Sequence, residues 1–333
     1  MKNIVILATG GTIAGAGEQG KDIGYKSGSI KAQTLIDAIP ELKNVANICV
    51  EQFCNINSDD VTSEIWIALA RRIRELLQRD DVDGIVIMHG TDTMEETAFF
   101  LSLTLGGSAP SAAGNDAKPV IMTGSMRPAT AAEPDGPANL LFAVKTAVSC
   151  PNVILEPKAI GSSVVYVAFA GKLMNARLVQ KIHANDLDAF AEISASCHSE
   201  FIPGSPSCFT FDISNMRELP RVSVLYFNAE ADAELVRFAA ERSAGLVIAG
   251  AGAGEFSRAW ADALTDVVSK NKIPIVISTR INRGRIVPEQ LLVPGTIAAY
   301  DLPPAKAAVL LRLALTTTND PATIQEMFEI SST

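Results

Sequence analysis

Short apolar runs rich in β-branched residues recur along the chain, at positions 4–7, 85–88, 120–122 and 164–167, and again at 222–226, 246–248 and 275–277. Their apolar character is continuous rather than alternating, which predicts strands buried on both faces and hence a parallel sheet. Between them lie amphipathic stretches. The clearest places Ile65, Leu69, Ile73 and Leu76 on one helical face and Arg71, Arg72, Arg74 and Glu75 elsewhere. Strands alternating with helices predict an α/β architecture. The rhythm breaks between about Ser199 and Pro220, where Pro203, Gly204, Pro206 and Pro220 fall without helical period. The pattern therefore predicts two α/β domains with mostly parallel sheets: a larger N-terminal one over 1–199, a linker over 200–220, and a smaller C-terminal one over 221–333.

The length of 333 residues suits two domains of ordinary size, and 48% hydrophobic residues suffice for two cores. Net charge is −9, with the 28 Lys and Arg scattered along the chain. That argues against a nucleic-acid partner, which needs a massed basic surface. No apolar stretch approaches the ~18 residues of a spanning helix, so no membrane partner is expected. Cys49, Cys54, Cys150, Cys197 and Cys208 make an odd count, with no metal-binding spacing among them or with His89, His183 and His198. Neither a metal nor another cofactor is expected. Cys197 beside His198 is read as a coincidence of sequence rather than a thiol–imidazole pair. Free thiols suit a reducing compartment, and no cleavage site follows the first strand. The expectation is a cytoplasmic protein as written, or a periplasmic one if a leader has been trimmed.

Ligands of open α/β sheets bind beyond the carboxyl ends of strands, so the segments following strands carry the chemistry. The first strand runs into Thr9-Gly10-Gly11-Thr12-Ile13-Ala14. Two glycines permit close backbone approach, and Thr12 presents a hydroxyl where the strand opens; a plain glycine turn is the simpler alternative. Gly15-Ala16-Gly17-Glu18-Gln19-Gly20 matches a dinucleotide fingerprint in letters only, because it neither follows the strand directly nor opens a helix. The strand at 85–88 leads into His89-Gly90-Thr91-Asp92-Thr93-Met94-Glu95-Glu96-Thr97. A capping box accounts for Thr93 and Glu96. Thr91 and Asp92, a hydroxyl beside a carboxylate, have no such structural task. Asn57-Ser58-Asp59-Asp60 holds more polar groups than the helix cap expected from one of them requires. Ser125-Met126-Arg127-Pro128, followed by Asp135-Gly136-Pro137, is a further polar loop of less definite meaning.

Together these segments resemble the bacterial L-asparaginase family. Residues 9–14 match its first signature and residues 89–97 its second, in order and at fitting separation; Ala38-Ile39-Pro40-Glu41-Leu42, Met126-Arg127-Pro128 and residues 310–316 extend the likeness over nearly the whole chain. The resemblance implies an amidohydrolase of asparagine catabolism without a cofactor. It would turn L-asparagine, and L-glutamine as an alternative substrate, into the acid and ammonia through a threonine-linked acyl-enzyme. Thr12 would be the nucleophile, aided by Tyr25 ahead of Gly28, while Thr91, Asp92 and Lys181 would form a second triad. Gly11, Ser58, Asp59, Gly90, Asp92 and Ser125 would bind substrate, with Ser58 at its α-carboxylate and Asp92 at its α-ammonium. A homotetramer built from intimate dimers is implied, with Glu289 as the candidate contact to a neighbouring subunit's site. Two departures stand out. Asp59 occupies a position where the family commonly has Gln or Glu, and Ala253 stands where the family has an Asn. Two rival readings remain: a mixed glutaminase–asparaginase, separable by ammonia release from the two amino acids, and a non-catalytic ligand- or nucleotide-binding α/β protein, separable by dinucleotide titration.

Overall fold

A computed structural model describes residues 1–21, 24, 26–105, 118–149, 165–193, 210–270 and 272–332. The chain divides into two compact units, one of 1–192 with 212–215, the other of 193–211 with 216–333.

The first unit is built on β1 (Asn3–Gly10), α1 (Ala32–Asp37), α2 (Leu42–Val45), β2 (Asn47–Ile56), α3 (Ser63–Leu77), β3 (Gly84–Met88), α4 (Met94–Leu105), β4 (Val120–Thr123), α5 (Gly136–Ser149), β5 (Val165–Phe169) and β6 (Lys172–Asn175). Its six strands lie in the order β2-β1-β3-β4-β5-β6, parallel except for the antiparallel hairpin of β5 with β6. β3 and β4 are buried throughout, the result that continuous apolar runs demand when helices cover both faces. A two-stranded antiparallel sheet, β7 (Val179–Lys181) with β8 (Phe190–Glu192), follows.

Helix α3 buries Trp66, Ile67, Leu69, Ala70, Ile73 and Leu76, so the apolar stripe reaches further round the helix than Ile65, Leu69, Ile73 and Leu76 suggest, and Ile65 itself is only half-buried. Trp66 explains the difference. Its indole stacks on Phe100 of α4 at 5.2 Å and donates to the Thr97 hydroxyl at 2.8 Å, which fixes α3 against α4. The cap of α3 also differs from expectation. It is Thr62, whose hydroxyl accepts from the Ile65 N–H, whereas residues 58–60 form a separate 3-10 turn in which Asn57 makes no side-chain cap bond. That extra turn shifts the helix start by one short step and releases residues 57–60 from capping.

The second unit contains β9 (Val222–Tyr226), α6 (Glu234–Ala240), β10 (Gly245–Gly250), α7 (Arg258–Lys270), β11 (Ile275–Thr279), β12 (Ile297–Ala298), α8 (Pro304–Ala314) and α9 (Pro321–Ser332). Its sheet, β12-β11-β10-β9, is parallel throughout. Leu246, Ile248, Ile275 and Ile277 pack on Trp260, Leu264 and Val267 in a core separate from that of the first unit. Among the described residues no helix is long and apolar enough to cross a membrane. Residues 200–209 of the stretch read as a linker lie outside the described residues, as do Cys150, Cys197, His198 and Cys208.

Candidate active site

The strand order of the larger sheet locates the site before any side chain is considered. From β1 the chain crosses to β2 on one side, and β3 then takes its place on the other. Such a reversal opens a crevice at the carboxyl ends of the strands. The segments leaving β1, β2 and β3 meet there and enclose a cleft of about 250 Å³, lined by Gly11, Thr12, Gly90 and Asp92, by Asn57, Ser58 and Asp59, and by Ser27.

The approach of these segments is close enough to require glycine. Gly11 has φ 82° and ψ −175°, a conformation open essentially to glycine alone. A Cβ there would lie 2.5 Å from the Gly90 Cα, and one on Gly90 would lie 2.7 Å from the Ser58 Oγ. Gly11 therefore packs on the Gly90 backbone, and Gly90 in turn on the Ser58 side chain. Thr9 Oγ1 donates to the Met88 carbonyl at 3.0 Å, and the Gly11 N–H to the Ile56 carbonyl at 3.0 Å, tying the ends of β1, β2 and β3 together. Thr12 follows at once, half-buried at the start of the 3-10 turn Thr12–Ala14.

Ser58 is buried and fixed at two points. Its hydroxyl accepts the Asp92 N–H at 3.2 Å, and its carbonyl accepts from the Thr93 hydroxyl at 2.6 Å. A hydroxyl that accepts in this way keeps its own hydrogen to donate. Asp59 lines the same cleft and is exposed.

Beside the cleft, Lys181 Nζ donates to Thr91 Oγ1 at 2.9 Å and to Asp92 Oδ1 at 2.6 Å. The Lys181 side chain is 16% exposed and that of Asp92 68% exposed, so this ion pair adds little to stability. Its consequence is geometric, because it brings an amine, a hydroxyl and a carboxylate into one hydrogen-bonded cluster. Lys181 ends β7, whose partner β8 is anchored to the larger sheet where Phe190 meets Phe169 at 4.9 Å.

His89, the neighbour of Gly90 in the chain, is wholly buried, with Nδ1 2.7 Å from the Gly90 carbonyl. Burial disfavours its charged form and lowers its pKa to about 4, so the ring is neutral and Nδ1 carries the hydrogen donated to that carbonyl.

The structure thus gathers Gly11, Thr12, Ser58, Asp59, Gly90, Thr91, Asp92 and Lys181. Ser125 lies outside the cleft lining: it is fully buried, and its hydroxyl donates to the Arg127 carbonyl at 2.7 Å in a loop held by the Asp135 carboxylate. Glu289 is exposed on a 3-10 turn, Pro288–Gln290, of the second unit, where Ala253 is exposed as well. Tyr25 falls outside the described residues. Ser27 was not anticipated from sequence. It occurs in a polar stretch with no periodicity, and the cue was Gly28, which has φ 66° and whose carbonyl accepts from the Asn55 side chain at 2.6 Å. The stretch 15–20 opens no helix; Ala16 instead bridges to Lys26, which removes the dinucleotide motif.

Hydroxyls, a carboxylate and an amine converging at the switch point of a doubly wound sheet supply the groups that hydrolysis through a hydroxyl nucleophile requires. Residues 3–207 match the family model described as asparaginase, N-terminal, and residues 221–328 the glutaminase/asparaginase C-terminal domain; the chain belongs to the asparaginase family. It is 39% identical to L-asparaginase 2 of Bacillus subtilis, over 98% of this chain and 86% of that protein. It is 37% identical to a probable periplasmic L-asparaginase of Haemophilus influenzae, over 99% and 93% of the two chains. A solved structure, the probable cytoplasmic L-asparaginase of Campylobacter jejuni, superposes with a TM-score of 0.81 at 37% identity, covering 99% of each chain.

Proposed function

We propose that this protein is an L-asparaginase that hydrolyses L-asparagine to L-aspartate and ammonia, with Thr12 as its nucleophile. The observation that carries the reading is the contact of Lys181 Nζ with both Thr91 Oγ1 and Asp92 Oδ1 at the edge of a cleft that also holds the Thr12 hydroxyl.

The groups suit the substrate. Ser58, its oxygen occupied by the Asp92 N–H, donates its hydroxyl hydrogen to the α-carboxylate. Asp92 gives one carboxylate oxygen to Lys181 and the other to the α-ammonium, and Asp59 adds a second negative charge on the same side. Thr12 Oγ attacks the side-chain carboxamide carbon; the C–N bond breaks, and the nitrogen leaves as ammonia with the proton that the hydroxyl gave up. Backbone N–H groups near Thr12 and Thr91 stabilise the oxyanion. A water then cleaves the acyl-threonine ester, with the Thr91–Lys181–Asp92 cluster relaying its proton. Tyr25 assists Thr12 in this reading, and Ser125 contributes by holding the adjoining loop rather than by touching substrate.

The proposal extends to a homotetramer of intimate dimers in which Glu289 reaches a neighbouring site, to a domain boundary within 200–220, and to a cytoplasmic location, which the free thiols of Cys49 and Cys54 favour. A mixed glutaminase–asparaginase is the second reading, favoured by the family description of residues 221–328. A coupled ammonia assay on L-asparagine, L-glutamine and an asparaginyl peptide decides between them. Faster release from asparagine supports the first reading, comparable release from the two amino acids supports the second, and no release from any of the three refutes both.

A further inference from the structure

Lys181 must reach both Thr91 and Asp92, yet it comes from a strand remote in sequence from the loop that carries them. Among the described residues β7 and β8 form a sheet of two strands, and β7 has one edge with no strand beside it. Backbone donors on such an edge need another partner when water is scarce. The Lys181 N–H finds it in the carboxylate of Glu95, in the first turn of α4. Helix α4 begins directly after Thr91, Asp92 and Thr93, so Glu95 and the two residues that Lys181 contacts ride on one rigid segment. The same lysine is therefore gripped twice by that segment, by its backbone through Glu95 and by its amine through Thr91 and Asp92. In the sequence, Glu95 was merely one letter of the second signature.

We propose that Glu95 is a positioning residue for catalysis: by accepting the Lys181 N–H it sets the origin from which the lysine amine reaches Thr91 and Asp92. The proposal rests on the reading that Lys181 serves the hydrolysis of asparagine. Its requirement is an acceptor at a given reach rather than a charge. Gln supplies a carbonyl oxygen at the same length, whereas Asp keeps the charge but is shorter by one C–C bond, ~1.5 Å. Misplacement by ~1 Å costs on the order of 10²-fold in rate.

The test compares Glu95→Gln, Glu95→Asp, Lys181→Met and the double variant Glu95→Asp/Lys181→Met in the full-length enzyme, by steady-state kinetics with L-asparagine and by thermal melting. Glu95→Gln keeps kcat within ~3-fold of wild type, while Glu95→Asp lowers it by ~10–100-fold with KM nearly unchanged, because the loss lies in the chemical step. In the Lys181→Met background, Glu95→Asp has no further effect, since residues acting through one another are not additive. Wild-type kcat in Glu95→Asp, equal damage in Glu95→Gln and Glu95→Asp, or a full additional loss in the double variant each overturns the positioning role. If Lys181→Met is itself as active as wild type, the lysine reading fails and takes the Glu95 role with it. A silent Glu95→Asp beside an inactive Lys181→Met defeats only the positioning role.

Discussion

Replacing Gly11 by alanine tests whether the close approach of the β1 and β3 loops builds the site. The added Cβ would stand 2.5 Å from the Gly90 Cα and 2.6 Å from its nitrogen, both backbone atoms that no rotamer change can move. Ordinary contact begins near 3.4 Å, so the two loops must part by about 0.9 Å. The backbone at φ 82° and ψ −175° adds about 1–3 kcal/mol of strain for a residue with a side chain, and overpacking adds about 1–3 kcal/mol. The variant should therefore lose about 2–6 kcal/mol in denaturant melting. Displacement of the Thr12 and Thr91 segments by nearly 1 Å should lower kcat by ~10²-fold. Gly171→Ala is the control: φ is 75°, but none of the described residues lies within 4 Å of the added carbon. It should show strain of about 1–2 kcal/mol and an unaltered kcat. Ammonia release coupled to a dehydrogenase measures both variants. Wild-type turnover in folded Gly11→Ala would refute the claim that this backbone contact sets the catalytic geometry.

Three other perturbations probe the lysine, the Asp59 carboxylate and the buried imidazole. Lys181→Met should lower kcat by ~10²–10⁴-fold while KM changes far less, and near-normal kcat would exclude the lysine from the chemistry. Asp59→Asn should raise KM for asparagine more than it lowers kcat, leaving stability unaltered because Thr62 caps α3; an unchanged KM would remove Asp59 from the binding site. His89 should titrate near pH 4 by NMR, and because its folded pKa lies below the unfolded value of 6.5, its contribution to stability is full above pH 6.5 and falls by about 3 kcal/mol as pH drops to 4; a folded pKa near 6.5 would contradict the burial argument.

What the sequence discloses follows burial. β1, β3 and β4 are legible because both faces are covered and their runs are unbroken. β2 is not, since it is the edge strand, mostly half-buried or exposed along Asn47–Ile56, and polar Asn, Glu and Gln interrupt it. β7 and β8 are three residues each and carry no periodic signal. The site divides in the same way. Thr12, Thr91 and Asp92 stand at the ends of recognisable strands, and the switch-point rule points at them. Lys181 is 89 positions from Asp92, so no local pattern joins them, and only the family resemblance selected it. Glu95 carries no signal of its own, because its partner is a backbone N–H 86 positions away. Ser125 donates to a loop carbonyl, a task that its position after a strand does not separate from ligand binding.

The central claim is that Thr12 becomes acylated during turnover. Rapid quench of the enzyme with saturating L-asparagine, followed by peptide mapping in a mass spectrometer, tests it directly. An aspartyl ester should form on the peptide that carries Thr12 as ammonia is released and be absent from Thr12→Ala, which should also lose turnover while remaining folded. An ester on a different peptide, or undiminished turnover in Thr12→Ala, would contradict it.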